Sequence, residues 1–505
     1  MLKSLRPFVF FPTFIILMAA LIFSLVNLTL FTEFTKIATE YVLLHFSWLF
    51  SLGSFYLLVL ITITYFSKLG DVKIGGESAI PKISKARWFM IVLCTTLAVG
   101  VLFWTTAEPL YHLHAPPQSW GIEANSSSAV LFSLSAMFLH WGPTPYAIYA
   151  VPGLIFALVF HNLKLPYSIS SSLKPVFGRY VTGRMGDVVD ALALYSLVVG
   201  MASSLGTGAL TLLGGVGQFI DLEKNALSLG FFIALIVFTF VLSAAKGLVK
   251  GIARMSMLNF WLLISLFVFT LCFGPTLYIL GIGIEGLGSF LQNFFRLSLF
   301  TGQAANDPWP QSWSVFYWAV WFAWAPITAM FLGKIAQGYT VREFIKINVV
   351  FPSLFILLWI SVFSGSAILM DQSSNGGLYA VLNEGGIEQL LYHVFAEMPL
   401  SALTSLLLVF IAFISYVTAA DSSTDAIGDL CIKDFTADSQ EGIGLPIKIL
   451  WGVIIGLVAW LMVSTVGVAG IKSLSNLGGL PATLIILCCS LTLIKWLRNP
   501  SLLKG

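Results

Sequence analysis

Tyr317-Trp318-Ala319-Val320-Trp321-Phe322-Ala323-Trp324-Ala325-Pro326 contains no charged residue and lies deep in a hydrophobic run. On a helix, Tyr317, Trp321 and Trp324 fall at i, i+4 and i+7 and form one aromatic stripe. Tryptophan in membrane helices normally collects at the two water interfaces. A mid-span cluster ended by Pro326 needs another reason. An aromatic cage for a quaternary ammonium group supplies one, because ring faces attract a cation that offers no hydrogen-bond donor. Ordinary core packing is the plainer alternative.

The chain around this stretch is 505 residues, 58% hydrophobic and 10% charged, with mean hydropathy +0.93. Soluble domains carry about 25% charged residues. Apolar runs repeatedly exceed the roughly 20 residues that cross a bilayer as a helix. The chain therefore reads as an all-α integral membrane protein with twelve transmembrane helices. They run roughly 8–31, 43–66, 88–108, 129–161, 188–218, 227–245, 255–281, 310–333, 344–370, 399–421, 446–470 and 474–497. With both termini cytoplasmic, every one of the 26 lysines and arginines falls inside except Lys36, Lys224, Arg296 and Lys472. That partition obeys the positive-inside rule, and a missed or invented span would scramble it. Between the seventh and eighth spans, 286–301 places Leu287, Phe290, Leu291, Phe294 and Leu297 on one face and Gln292, Asn293 and Arg296 on the other. It reads as an interfacial helix, or else as a loop packed on the bundle. The first apolar run is too long for a signal peptide, and the five cysteines show no pairing pattern.

No metal or nucleophile motif stands out. The histidines read as scattered, with His112 and His114 flanking an outside loop and His140 inside a span. Gly206-Thr207-Gly208 lacks the Lys-Ser/Thr of a phosphate loop and reads as close helix packing. An enzymatic role has little to stand on, whereas transport has more. In His140-Trp141-Gly142-Pro143-Thr144-Pro145-Tyr146-Ala147-Ile148-Tyr149 two prolines interrupt regular winding, which membranes tolerate where a helix lines a cavity. Trp141, Tyr146 and Tyr149 thus form a second mid-span aromatic group. The third span holds Thr95-Thr96-Leu97-Ala98-Val99-Gly100, small and hydroxyl residues whose local unwinding would free carbonyls for a cation. Thr418 in the tenth span offers a hydroxyl for the same purpose, packing being the alternative for both. Asp421, Asp425 and Asp429 follow at i, i+4 and i+8 on one face. Carboxylates sit badly at a helix C-terminus, so a basic partner is expected, and Lys334 is the candidate for Asp421. The pair reads either as a gate contact or as solvated charges.

These segments together resemble the betaine/choline/carnitine transporter family over most of the chain. The resemblance rests on Phe316 to Pro326, on Gly338-Tyr339-Thr340-Val341-Arg342-Glu343-Phe344-Ile345, on Phe103-Trp104 followed by Glu108-Pro109-Leu110, on His140-Trp141-Gly142, on Lys250-Gly251-Ile252-Ala253-Arg254-Met255-Ser256, and on Thr418 to Ser422. It implies one transporter domain over 1–505. Two N-terminal helices precede two inverted five-helix repeats, spans 3–7 at about 88–281 and spans 8–12 at about 310–497. It further implies alternating access around a midplane site, and a homotrimer in the plasma (prokaryotic inner) membrane joined through the interfacial helix. Carried over by position, the cage is Trp141, Tyr146, Tyr149, Trp321 and Trp324, with Trp318 near the pathway. Sodium is the implied coupling ion, with Thr96, Leu97, Thr328 and Thr418 as its candidate ligands and Lys334 and Asp421 at a gate. No cofactor and no nucleic-acid partner are implied; the partners are lipid and a small zwitterionic or cationic substrate.

Three single positions and one stretch depart from the family pattern. Val320 stands where a tryptophan is usual, Ala419 where a serine is, and Lys334 where an arginine is, and the third-span glycines shrink to Thr96, Ala98 and Gly100. Thr328, and the lack of a mid-span arginine in the seventh span, separate the chain from sodium-independent carnitine exchangers. The expectation is sodium-coupled import of a small quaternary-ammonium or sulfonium zwitterion of glycine betaine, choline or carnitine type. The alternatives are a sodium-independent exchanger, a transporter of another amine or amino-acid-like solute on the same fold, or, from another class, a non-transporting membrane sensor. A channel is disfavoured because no charged ring or repeated filter is present. The short ends lead to an expectation of constitutive uptake rather than osmotic activation.

Overall fold

Inside a bilayer every backbone N–H and C=O must find its partner within the chain, and helices do so locally. The structure, a computed structural model, describes residues 5–245, 248–433, 435 and 445–503, with backbone only at 97–99, 244–245, 248–253 and 445. Lys3, Lys246 and Lys504 of the charge partition, and the side chains of 250–253, lie outside the described residues. Among the described residues eleven helices are long and apolar enough to cross a membrane, or twelve when one bent pair counts as a span. No strand is present among them beyond two isolated bridges.

Helix α1 (Pro7–Val26) ends at Asn27, whose side chain accepts from Leu30 N–H and so caps α2 (Leu28–Phe66). The second helix therefore starts well before the expected 43. The polar stretch from Thr32 to Glu40 continues the helix past the apolar core, because one capping residue costs less than a long loop of unpaired backbone. The third span is α3 (Lys85–Trp104) and α4 (Glu108–His114), bent by 56° between Thr96 and Gly100. The fourth is α5 (Ser127–Trp141) and α6 (Pro143–His161), broken at Gly142. A Cβ on Gly142 would meet the Phe138 carbonyl oxygen at 2.3 Å, so only glycine fits, and Pro143 then opens α6 where its missing N–H is harmless.

After α7 (Arg184–Val216) and α8 (Ala226–Ala245) comes α9 (Leu248–Phe273), which stops short of the expected 281. Gly274-Pro275 ends it, and the amphipathic helix α10 (Thr276–Ser298) begins at once rather than at 286. Its Ile279, Ile282, Phe290 and Leu297 are buried, whereas Leu277, Leu280, Ile284, Leu291 and Phe295 stay exposed. The second half comprises α11 (Ser314–Lys334), α12 (Val341–Ser373), α13 (Ser401–Leu430), α14 (Leu445–Thr465) and α15 (Val468–Arg498). Helix α13 runs nine residues beyond the expected 421, so Asp421 and Asp425 lie inside the helix and Asp429 stands in its last turn. Helix α11 is at the centre, packed on α6, α15 and α7. Around it, α1, α2, α8 and α9 expose Leu25, Leu44, Leu227 and Trp261 outward, as a lipid-facing layer does.

Candidate functional site

A cavity of about 60 Å³ lies where α3, α5, α6, α7, α11 and α15 converge. Four of the expected cage residues, Trp141, Tyr149, Trp321 and Trp324, line it. Trp321 is the hub. Its ring centroid is 5.6 Å from Trp141 at 83° and 5.4 Å from Tyr149 at 70°, the edge-to-face geometry that aromatic quadrupoles prefer. Its Nε1–H donates to the His140 carbonyl at 3.0 Å, an acceptor beside the break at Gly142. Trp324 approaches α7 closely because residue 200 is glycine: a Cβ there would sit 3.1 Å from Trp324 Cδ1. Gly100 admits the edge of Trp141 in the same way, at 3.3 Å.

Tyr146 and Trp318 do not line this cavity. Tyr146 backs Trp321 at 6.4 Å. Trp318, about 100° round the helix from the stripe, packs fully buried against His140 at 6.0 Å and 79°. Val320 does line the cavity, so the position where the family's tryptophan is missing lies on the wall itself. Thr96 is on the wall too, its hydroxyl donating to Val92 O at 2.8 Å. The Thr418 hydroxyl donates to Ile414 O within its own helix. Thr328 is buried and its hydroxyl has no hydrogen-bond partner among the described residues. The Leu97 side chain lies outside the described residues.

The expected Lys334–Asp421 pair is replaced. Lys334 Nζ lies 2.8 Å from Asp429 and 4.0 Å from Asp425, while Asp421 accepts from Ser243 Oγ at 2.6 Å. All three aspartates share one face, and the length of α13 sets which of them stands level with the end of α11. Lys448 from α14 also pairs with Asp425.

Sequence reasoning missed two groups. Ser203, Ser204 and Thr207 of α7 contribute hydroxyls to the wall; their close spacing in an apolar span was the available signal. The second overturns the view that the histidines do not cluster. Glu108, fully buried at 0% exposure, accepts on Oε1 from His112 Nε2–H at 3.1 Å and His140 Nδ1–H at 2.6 Å. Its Oε2 accepts from Trp141 Nε1–H at 2.8 Å and the Tyr317 hydroxyl at 2.5 Å. His140 Nε2 faces Ser314 Oγ at 2.8 Å. The i, i+4 spacing of Glu108 and His112 was visible, but His140 comes from another helix. One ligand atom from each of the three lies within 4.8 Å of the others, a spacing that suits a metal. However, both carboxylate oxygens are already satisfied by four donors, and the arrangement is that of a hydrogen-bonded anion.

Two further charges border the site. Lys472 Nζ rests on the faces of Trp313, Phe316 and Trp104 at 4.5, 4.9 and 5.6 Å from the ring centroids, a cation–π arrangement. In the loop before α11, Asp307 accepts from Ser119 N–H and Oγ–H and from Trp309 N–H, which fixes the Trp309 ring 5.0 Å from His112. Partial burial acts to raise this carboxyl, but the three hydrogen bonds prevail and hold it below its ordinary range.

A sequence model of the betaine/carnitine/choline family of transporters matches residues 8–502. A probable glycine betaine transporter of Desulfitobacterium hafniense is 29% identical over 458 residues, 90% of this chain and 90% of that one. An ectoine/hydroxyectoine transporter of Virgibacillus pantothenticus is 28% identical over 92% of this chain and 91% of its own. A glycine betaine/proline/choline/ectoine transporter of Vibrio parahaemolyticus is 32% identical over 86% of this chain and 76% of its own. Among solved structures, that of a substrate-bound, outward-open Na⁺-coupled sialic acid symporter aligns with TM-score 0.43 and 16% identity, over 87% of this chain and 81% of that one.

Proposed function

Because the chain belongs to the betaine/carnitine/choline transporter family, we propose that it imports a small zwitterion with a quaternary-ammonium or sulfonium head, of the glycine betaine, choline or carnitine type, by sodium-coupled alternating access. It is a multi-pass plasma-membrane protein of a transporter family. The observation that carries the substrate class is the cavity wall. The rings of Trp141, Tyr149, Trp321 and Trp324 line one space, and among the described residues no charged side chain lines it. Such a wall favours a cation with no donors to satisfy. The hydroxyls of Thr96, Ser203 and Thr207 supply polar contacts for the rest of the molecule. Relatives of comparable length carry the names of betaine and ectoine transporters, which agrees with a small zwitterion.

Alternating access between two inverted repeats is supported by the pattern of helix contacts. Matching the spans of α3–α9 with α11–α15 in order, three of the main contacts have counterparts. Helix α3 packs on α13 as α11 packs on α7; α7 packs on α15 as α13 packs on α9; α7 packs on α14 as α13 packs on α8. Candidate oxygen ligands for sodium are Thr96, Thr418 and the hydroxyl of Thr328, which has no hydrogen-bond partner among the described residues, with the backbone at Leu97 beside the bend in α3. On the side that the charge partition makes cytoplasmic, Lys334 with Asp429 and Asp425 is the gate contact, in place of Lys334 with Asp421. The exposed apolar face of α10 is the homotrimer contact.

Uptake into proteoliposomes tests the reading. Glycine betaine, choline, carnitine, ectoine and a sulfonium analogue are offered under a sodium gradient and again in potassium. Accumulation of at least one quaternary or sulfonium solute in sodium alone is expected. Equal uptake in both cations removes the coupling claim and leaves a sodium-independent exchanger; uptake of none of the panel removes the substrate class.

A further inference from the structure

We propose that Glu108 is a specificity-determining residue: its buried carboxylate, held through Trp141 and Tyr317, makes the cage select a ligand for its positive charge as well as its shape. The inference rests on the cage reading above and goes beyond it by naming a group that never touches the ligand.

The protons around Glu108 can be assigned from the hydrogen bonds. Indole Nε1–H of Trp141 only donates, and it meets Oε2 at 2.8 Å beside the Tyr317 hydroxyl at 2.5 Å. Oε1 meets one nitrogen of His112 and one of His140. A carboxylate that takes four donors is the ionised form. Each imidazole needs only one proton to fill its role. His140 gives Nδ1–H to Glu108 and accepts from Ser314 at Nε2, and His112 gives Nε2–H while its Nδ1 has no hydrogen-bond partner among the described residues. With each imidazole in that neutral form, the Glu108 carboxylate is the one charge of the cluster, at 0% exposure. Among the described residues no lysine or arginine forms an ion pair with Glu108. Lys472 instead lies over the rings of Trp104, Trp313 and Phe316. An ionised group buried in a membrane protein and held by hydrogen bonds, with its nearest lysine on neighbouring rings rather than in an ion pair, is costly, and such residues are kept where function uses them.

The use is visible in the donors. Two of the four, Trp141 and Tyr317, line the substrate cavity. Donating N–H or O–H to an anion pushes electron density into the ring, so the ring face turned to the cavity becomes more negative. The anion's own field acts in the same direction. The Lys472 ammonium on Trp104 and Phe316 opposes that field, and a unit charge a few ångströms beyond the rings, in an effective dielectric near 20, changes the affinity for a cation by on the order of 10- to 50-fold. A neutral ligand of the same shape gains nothing from either effect. Glu108 is a positioning residue as well, since it fixes both ring planes, but orientation alone would serve charged and neutral heads equally.

The experiment compares two ligands that differ only in that charge. Glycine betaine and 3,3-dimethylbutanoate share the carboxylate and the three methyl groups, with nitrogen replaced by carbon. Their dissociation constants are measured by isothermal titration calorimetry on the full-length protein in nanodiscs, for wild type, Glu108→Gln and Glu108→Asp. Glu108→Gln should lower the ratio of glycine betaine affinity to 3,3-dimethylbutanoate affinity about 10- to 50-fold, because the carboxylate common to both cancels and only the charge of the head differs, and much of the ratio should be restored in Glu108→Asp. Where Glu108→Gln does not fold, replacing Trp141 by benzothienylalanine, which has the indole shape without the N–H, reads the same ratio and should move it in the same direction. An unchanged ratio, or equal losses for both ligands, overturns the inference and leaves Glu108 a structural residue. Failure of wild type to bind glycine betaine or any other ammonium or sulfonium ligand would instead overturn the cage reading on which it rests.

Discussion

Trp321 gives the sharpest test of the cage. In Trp321→Leu the side chain keeps bulk but loses the ring face, the edge-to-face contacts to Trp141 and Tyr149, and the Nε1–H bond to the His140 carbonyl. For a cation desolvated inside the wall, the lost cation–π contact is about 2 kcal/mol, or about 30-fold in Kd at 1.4 kcal/mol per tenfold. Fold stability falls as well, because large-to-small changes at buried aromatics cost about 3–5 kcal/mol when nothing refills the space and leucine refills part of it. Binding must therefore be compared at a temperature where both proteins elute as the same folded species. Trp321→Phe separates the terms: it keeps a face and loses the N–H···O bond, itself about 1 kcal/mol. The expected order of affinity is wild type, Phe, Leu, measured by calorimetry or a scintillation binding assay with the preferred substrate. A folded Leu variant that binds within threefold of wild type refutes the cage.

Val320→Trp restores a ring to the wall and should tighten binding of a trimethylammonium head by about 1 kcal/mol while excluding bulkier heads, read as a change in rank order in a competition panel. Lys334→Met leaves the buried Asp429 without its ion-pair partner at 2.8 Å. Since Lys334 is partly exposed and Lys448 stays on Asp425, the loss should be about 1–3 kcal/mol rather than the full value for a buried pair. It should appear in thermal denaturation and be partly recovered in Lys334→Met/Asp429→Asn. For Asp307 the folded carboxyl lies below its unfolded value, so its contribution is present above the ordinary carboxylate pKa of about 4 and fades as pH falls through the lower folded value. Asp307→Asn should therefore lower the melting temperature at neutral pH and flatten its dependence on acid, and an unaltered acid profile would show that Ser119 and Trp309 do not need the charge.

Much of the fold was legible because the membrane makes strong demands on sequence. Span length and the asymmetry of lysine and arginine place the helices, and the Gly142-Pro143 break could be anticipated from its prolines. Boundaries were harder where a cap or breaker outweighs hydropathy. Asn27 starts α2 far ahead of its apolar core, and Gly274-Pro275 starts α10 ten residues early. In the site, a stripe of period 3.6 exposed Trp321 and Trp324 to reading, and a broken helix exposed Trp141 and Tyr149. Tyr146 came with the same aromatic group and Trp318 with the family resemblance, although helical rotation turns both off the wall. Glu108 with His140, and Lys334 with Asp429, were out of reach for a different reason. Partners that are 32 and 95 residues apart meet only once several helices have taken their relative heights, which a single helix does not encode.

Lys472 puts the affinities of this site in another light. Its ammonium lies on Trp104 and Phe316, and both rings also line the cavity. A group held by a short flexible tether acts at an effective concentration in the millimolar range, whatever the solution contains. Any ammonium that reaches those rings competes with a resident that cannot be washed away. An ammonium bound on those rings, rather than on the four of the cage, would exchange with that resident, and such a substrate would register as a tighter ligand in a protein with methionine at position 472.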